Sequence, residues 1–150
     1  MGFETDIQSD SAPLNHLVAA MMSASPNIHV LRDPTRGGVA TTLNEIAYQS
    51  HVGIILNEAD IQIRPAVAAV CEMLGFDPLY IANEGKLLAI VSAEDANKVI
   101  SVMRMTKYGQ DARIIGEVSS SPKNRVLMKT EIGSTRVIDV SMGEMLPRIC

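Results

Sequence analysis

The chain has 150 residues, 47% of them hydrophobic but only 3% aromatic, and a net charge of −4. Those numbers describe one ordinary domain with an aliphatic, methionine-rich core. They exclude a base-stacking platform and a basic nucleic-acid face. No apolar run approaches the ~20 residues that span a bilayer, and no signal-peptide pattern opens the chain. The expected setting is therefore the cytoplasm, with no membrane and no nucleic acid as partner, where thiols stay reduced.

Residues 1–10 are polar and are expected to form a flexible N-terminal segment. Ser11 and Pro13 mark a helix start, and Leu14, Leu17, Val18 and Met21 follow at helical spacing. Pro26-Asn27 breaks that helix before a short strand, Ile28 to Leu31. A polar, glycine-ended loop, Arg32-Asp33-Pro34-Thr35-Arg36-Gly37-Gly38, leads into a second helix with Val39, Leu43, Ile46 and Ala47 on one face. Val52 to Leu56 reads as a strand. Pro65 opens a third helix with Val67, Val70, Cys71 and Leu74 aligned, and Gly75 is its stop. Leu87 to Val91 is an unbroken apolar run, the pattern of a central strand buried on both faces. Ser92 with Asp95 resembles a capping box for a helix carrying Ala96, Val99, Ile100 and Met103. Ile114 to Val118, Val126 to Met128 and Val137 to Val140 are late strands. Interleaved helices and strands predict one α+β domain over residues 11–144, a mixed β-sheet covered by helices. Residues 145–150, with Pro147 opposing helix, are expected to form a mobile C-terminal tail.

The two cysteines differ. Cys71 falls in the apolar stripe of the third helix and reads as a small buried hydrophobe. Cys150 is the last residue, its sulfur beside the free carboxylate. It is either an accident of where the chain stops or a swinging-arm acceptor that carries a group between sites. The carboxylate raises a neighbouring thiol's pKa by like-charge repulsion, so activation would come from the receiving site. No CxxC or His pair offers a metal site, so no metal ligand is assigned.

Arg36-Gly37-Gly38 joins a strand to a helix, where glycines let backbone approach a ligand and the helix N-terminus attracts anions. The same pattern also makes a plain turn. Asp33 could orient Arg36, cap the turn or ligate a metal. Asn83-Glu84-Gly85-Lys86 precedes the apolar run. Glu84 there is either a general base or half of a solvated Glu–Lys pair. His16, His29 and His51 are scattered and receive no role.

Three segments together narrow these alternatives: Arg32-Asp33-Pro34-Thr35-Arg36-Gly37-Gly38-Val39, Ala82-Asn83-Glu84-Gly85-Lys86-Leu87 and Pro147-Arg148-Ile149-Cys150. In this order and spacing the chain resembles the HypE family of hydrogenase maturation factors, the carbamoyl dehydratases. That family belongs to the superfamily of aminoimidazole ribonucleotide synthetase and selenophosphate synthetase. The resemblance runs from about Asp10 to the end, and the Pro-Arg-Ile-Cys ending is its specific part. It implies a C-terminal domain whose usual N-terminal, ATP-binding and dimer-forming half is not in this chain, so that the fragment alone is inactive. It also implies ATP and Mg bound mainly by that other domain. A carbamoyltransferase, HypF, would load Cys150. Glu84 would take a proton while the carbamoyl group becomes thiocyanate, and cyanide would pass to iron on a HypC–HypD scaffold for nickel–iron hydrogenase. Asp33, Arg36, Gly37 and Gly38 would line the cleft facing the absent domain. The alternatives are another ATP-dependent synthetase of the superfamily, or a non-catalytic interaction domain.

Overall fold

The computed structural model describes residues 8–140. Cys150, the tail expected at 145–150 and most of the expected N-terminal segment lie outside them. The elements run α1 (Asn15–Ala24), β1 (Ile28–Arg32), α2 (Gly38–Ser50), β2 (Gly53–Asn57), α3 (Pro65–Leu74), β3 (Leu88–Val91), α4 (Ala93–Arg104), β4 (Gly116–Ser119), β5 (Arg125–Lys129) and β6 (Thr135–Ile138). Single 3₁₀ turns at Glu58–Asp60 and Pro78–Tyr80 punctuate the connections. The expected α+β class with a mixed sheet and covering helices is what the chain adopts. Its fourth predicted strand starts at Gly116 rather than Ile114.

The main sheet has the order β4-β2-β5-β6. β2 pairs parallel with β5, and the other two ladders are antiparallel. Side chains alternate along each strand, so Ile54, Leu56, Val126, Met128 and Ile138 fall on one face. That face is buried against Ala40, Leu43, Ile46 and Ala47 of α2. These aliphatic positions recur at helical spacing, which is why α2 presents one continuous stripe to the sheet.

β1 and β3 form a separate two-stranded antiparallel ribbon. The predicted central strand is therefore corrected: among the described residues β3 pairs with β1 alone, and all four of its residues are half-buried. Its apolar character on both faces has a physical cause nonetheless. Val30, Leu88 and Ile90 pack against the α2 core. Ile28, Leu31, Ala89 and Val91 pack against a second core of Leu17, Met21, Ala24 and Val99 from α1 and α4. The ribbon is shared between two cores, so neither of its faces can be polar.

Two further expectations change. In α3 only Cys71 of the predicted apolar face is buried, while Met73 and Leu74 are 66% and 50% exposed. α2 already covers the sheet, and α3 packs by one edge on the 78–80 turn. The predicted stop at Gly75 holds, with left-handed backbone there. No side chain caps α4 at Ser92, so the capping box does not form. The Asp95 carboxylate instead accepts hydrogen bonds from Ser25 Oγ at 2.6 Å and Asn27 Nδ2 at 2.9 Å. Ser25 is buried at the end of α1 and also accepts from Asn27 N–H. The Asp95 carboxylate, 70 residues away, thus gives the buried Ser25 hydroxyl its acceptor.

The Ser25 and Asn27 donors hold the Asp95 carboxyl below its ordinary value. A folded-state pKa below the unfolded one adds stability above the unfolded value, which is lost as pH falls through the folded one. Asp95→Ala is therefore expected to lower the urea midpoint at pH 7. The gap from the parent should close as pH drops below about 4. Urea titrations at a series of pH values check this; a gap unchanged at pH 3 would assign the effect to packing instead.

Candidate functional site

The loop between β1 and α2 and the loop before β3 meet face to face. Pro34 is buried, and its carbonyl accepts the Asn83 N–H at 3.0 Å. Gly37 and Gly38 both have left-handed backbone, at φ 69° and 63°. The pair turns the chain sharply into α2 and brings Gly38 onto the backbone of residues 79–81. A Cβ on Gly38 would sit 2.5 Å from the Leu79 carbonyl oxygen and 2.6 Å from that of Ile81. Only glycine satisfies both the dihedral and the contact.

The opposing loop is built by local bonds. Asp77 Oδ1 accepts the Leu79 N–H at 2.9 Å and so starts the 3₁₀ turn. Asn83 Nδ2 donates to the Ile81 carbonyl at 2.7 Å, holding the bend that leads to Glu84. A third segment then crosses. Asp10 Oδ2 accepts the Glu84 N–H at 3.0 Å, and the Asp10 carbonyl lies where a Cβ on Gly85 would stand. Asp10 belongs to the segment that the sequence predicts to be flexible, and no sequence signal singles it out. Its role exists only because a contact 74 residues away in sequence brings it to Glu84.

The structure thus brings together Asp33, Arg36, Gly37, Gly38 and Glu84, the described residues nominated from sequence. Glu84 is exposed, and its carboxylate has no hydrogen bond or ion pair among the described residues. No Glu84–Lys86 pair is formed among them. Asp33 and Arg36 are likewise exposed and do not pair with each other. Asp33 does not cap α2, whose N-terminus has no side-chain cap. Arg32, just before them, is tied instead to Glu45 of α2 at 3.1 Å. Among the described residues no group of three or more His, Cys, Asp or Glu could hold a metal. Two hollows of about 220 and 260 Å³ lie against α4 and beside β4 respectively, both lined in part by Asp60 and Ile114. Neither contains a nominated residue. The site is an open rim, with carboxylates and one guanidinium facing outward. A solvated carboxylate is a weak base, so acid–base work at Glu84 requires a cover that removes water.

Sequence reasoning missed Tyr80 as well as Asp10. The Tyr80 hydroxyl donates to the Asp139 carbonyl at 2.8 Å, just past β6. Arg136 on β6 pairs with Asp77. That pairing and the cost of removing Arg136 from water act in opposite directions; the Asp77 bond prevails and raises the guanidinium pKa. The last strand is thereby fastened to the turn that carries the Glu84 loop. Gly38→Ala is expected to cost about 1–3 kcal/mol through its backbone dihedral alone, with the carbonyl clash added. Chemical denaturation measures it; a cost under about 0.5 kcal/mol would remove the close approach from this account.

The chain is similar to known proteins over its whole length. A family model described as AIR synthase related protein, C-terminal domain, matches residues 5–129. A carbamoyl dehydratase HypE of Cupriavidus necator is 55% identical over 148 residues, 99% of this chain and 42% of that protein. A carbamoyl dehydratase HypE of Escherichia coli is 39% identical over 150 residues, 100% of this chain and 44% of that protein. A crystal structure of hydrogenase maturation protein HypE superposes with a TM-score of 0.92 at 44% identity, covering 100% of this chain and 49% of that one. A HypE–HypF complex gives 0.88 at 43% identity, covering 94% and 46%. HypE in complex with ATP gives 0.90 at 45% identity, covering 100% and 46%. The chain spans less than half the length of these curated relatives, and the resemblance to HypE read from its motifs is borne out. With its α+β architecture and a family match across most of its residues, the chain belongs to the family of AIR synthase related proteins, as their C-terminal domain.

Proposed function

We propose that this chain is the C-terminal domain of an ATP-dependent carbamoyl dehydratase that makes the cyanide ligand of nickel–iron hydrogenase. The observation that carries this reading is the 55% identity to a carbamoyl dehydratase over 99% of the chain. Glu84, exposed and with no partner for its carboxylate among the described residues, supports it as well. So does the apolar surface left open on α3, which suits a cover from the remainder of a longer protein. That remainder would include the N-terminal domain that binds most of the ATP with Mg and forms the homodimer. A relative solved with ATP and another solved with HypF support those two partners. The HypC–HypD iron scaffold would receive the product. No helix among the described residues is long and apolar enough to cross a membrane. A reducing cytoplasm would keep the Cys150 thiol free.

In this reading HypF places a carbamoyl group on the Cys150 sulfur. The carbamoyl oxygen attacks the γ-phosphorus of ATP, ADP leaves, and the nitrogen gives up one proton to solvent. Glu84 takes the second nitrogen proton as the carbon–oxygen bond breaks and phosphate departs. The freed electron pair completes the carbon–nitrogen triple bond. The sum is thiocarboxamide plus ATP to thiocyanate, ADP, hydrogen phosphate and one proton. Closure of the N-terminal domain over the rim would dry Glu84 and raise its basicity. Asp33 and Arg36, with Gly37 and Gly38 below them, would face that domain across the cleft.

The test uses full-length protein incubated with HypF, carbamoyl phosphate and ATP, read by intact mass and peptide mapping. Cys150→Ala is expected to take up no carbamoyl group and yield no thiocyanate. Glu84→Gln is expected to load normally but to form thiocyanate roughly 10²–10⁴-fold more slowly, so that the carbamoyl adduct accumulates. Full turnover by Cys150→Ala would point to a different synthetase of the superfamily. Normal yield from Glu84→Gln would remove Glu84 from the chemistry.

A further inference from the structure

The candidate base is held by its backbone and not by its side chain. Among the described residues the one hydrogen bond that Glu84 makes runs from its N–H to Asp10 Oδ2, at 3.0 Å. The bond lies on an exposed surface, where water would serve the N–H as well. It therefore satisfies no buried group; what it fixes is where the backbone of Glu84 stands. The next residue belongs to the same contact. Gly85 is not one of the glycines with left-handed backbone, so its dihedral does not call for glycine. Its missing Cβ would instead fall on the Asp10 carbonyl, with the Ala12 nitrogen 3.2 Å from the same point. Glycine is needed there because the 10–12 segment passes over it.

That segment leads into α1, whose Leu17 and Met21 are buried in the second core. On the other side of Glu84, the Asn83 N–H is bonded to the Pro34 carbonyl, on the loop that enters α2. Glu84 is thus clamped between the approaches to two helices, each rooted in a different core. We propose that Asp10 is a positioning residue for Glu84: its carboxylate, by accepting the Glu84 N–H, sets the direction in which the base is presented, and Gly85 gives it room. The inference rests on the dehydratase reading above, in which Glu84 takes a proton from the substrate nitrogen. A base acts only within hydrogen-bond reach of its proton, and the groups around it must hold that placement. An exposed bend tied on the Asn83 side alone would sample orientations that point the carboxylate elsewhere. The effect belongs to the chemical step: what Asp10 fixes is the base, so carbamoyl loading and ATP affinity do not depend on it.

Three variants of the full-length protein, first carbamoylated by HypF and then given ATP, test this. Asp10→Ala removes the acceptor, and its single-turnover rate of thiocyanate formation is expected to fall about three- to tenfold, the scale of one lost hydrogen bond. Asp10→Asn keeps an oxygen acceptor without the charge and is expected to recover most of that loss. Gly85→Ala pushes the segment off the bend from the other side and is expected to slow the same step. KM for ATP should stay at the parent value in all three; a KM that rises along with the rate loss assigns the effect to general structure and overturns the positioning role. An unchanged rate in Asp10→Ala overturns it too. So does an Asp10→Asn as slow as Asp10→Ala, since the charge and not the bond would then matter. Glu84→Gln, assayed beside them, separates the two levels. If it is slow while Asp10→Ala is normal, only the positioning role fails. If it is fully active, the dehydratase role of Glu84 fails and the inference fails with it.

Discussion

The close seating of Gly38 on the carbonyls of Leu79 and Ile81 is the contact on which the rest of the site depends. Gly38 is the first residue of α2, the helix that covers the main sheet. The 79–81 segment leads directly to Glu84. One backbone contact therefore links the helix that organises the core to the loop that carries the candidate base. The cost of building it is a left-handed backbone at two successive residues, which glycine tolerates and a side chain does not. The Pro34–Asn83 bond and the Asp10–Glu84 bond then extend the same junction in both directions.

The arrangement separates rigidity from reactivity. Everything beneath the rim is fastened: Asp77 to Leu79, Asn83 to Ile81, Arg136 to Asp77 and Tyr80 to Asp139. What projects above it, the side chains of Asp33, Arg36 and Glu84, has no partner among the described residues. Groups held ready on a stiff backbone, but left without local bonds, suit recognition of something that arrives from outside the domain. An acid–base group left in water gains basicity only when that arrival excludes water. In the function proposed for the chain, this rim would be one half of a site that another domain completes.

The two-core construction explains the central ribbon. β1 and β3 are short and only half-buried, and alone a two-stranded ribbon is marginal. Here each face packs on a different helical layer, α2 on one side and α1 with α4 on the other. The Ser25–Asn27–Asp95 cluster closes the second layer by joining the end of α1 to α4. Hydrophobic burial on both sides holds the ribbon, and the ribbon in turn carries the β1 end that launches the glycine loop.

By itself the sequence determined most of the elements, because those depend on short-range spacing, while the candidate residues followed from the family resemblance of the segments that hold them. Apolar positions three and four apart made α2 recognisable, Pro65 and Gly75 bounded α3, and the segments around Asp33, Arg36, Gly37, Gly38 and Glu84 named the rim before its shape was known. Only the tertiary structure decided what lies against what. It made β3 half of a ribbon rather than a central strand, because an all-apolar run reads the same in either place. It took Asp95 away from its local cap and gave it to Ser25 and Asn27, because a buried hydroxyl needs a partner that sequence distance hides. It left α3 largely uncovered, since α2 had already occupied the sheet. It also brought Asp10 to Glu84 and Tyr80 to Asp139. Each of those bonds joins residues dozens of positions apart, and spacing along a chain carries no information about contacts that only the folded path creates.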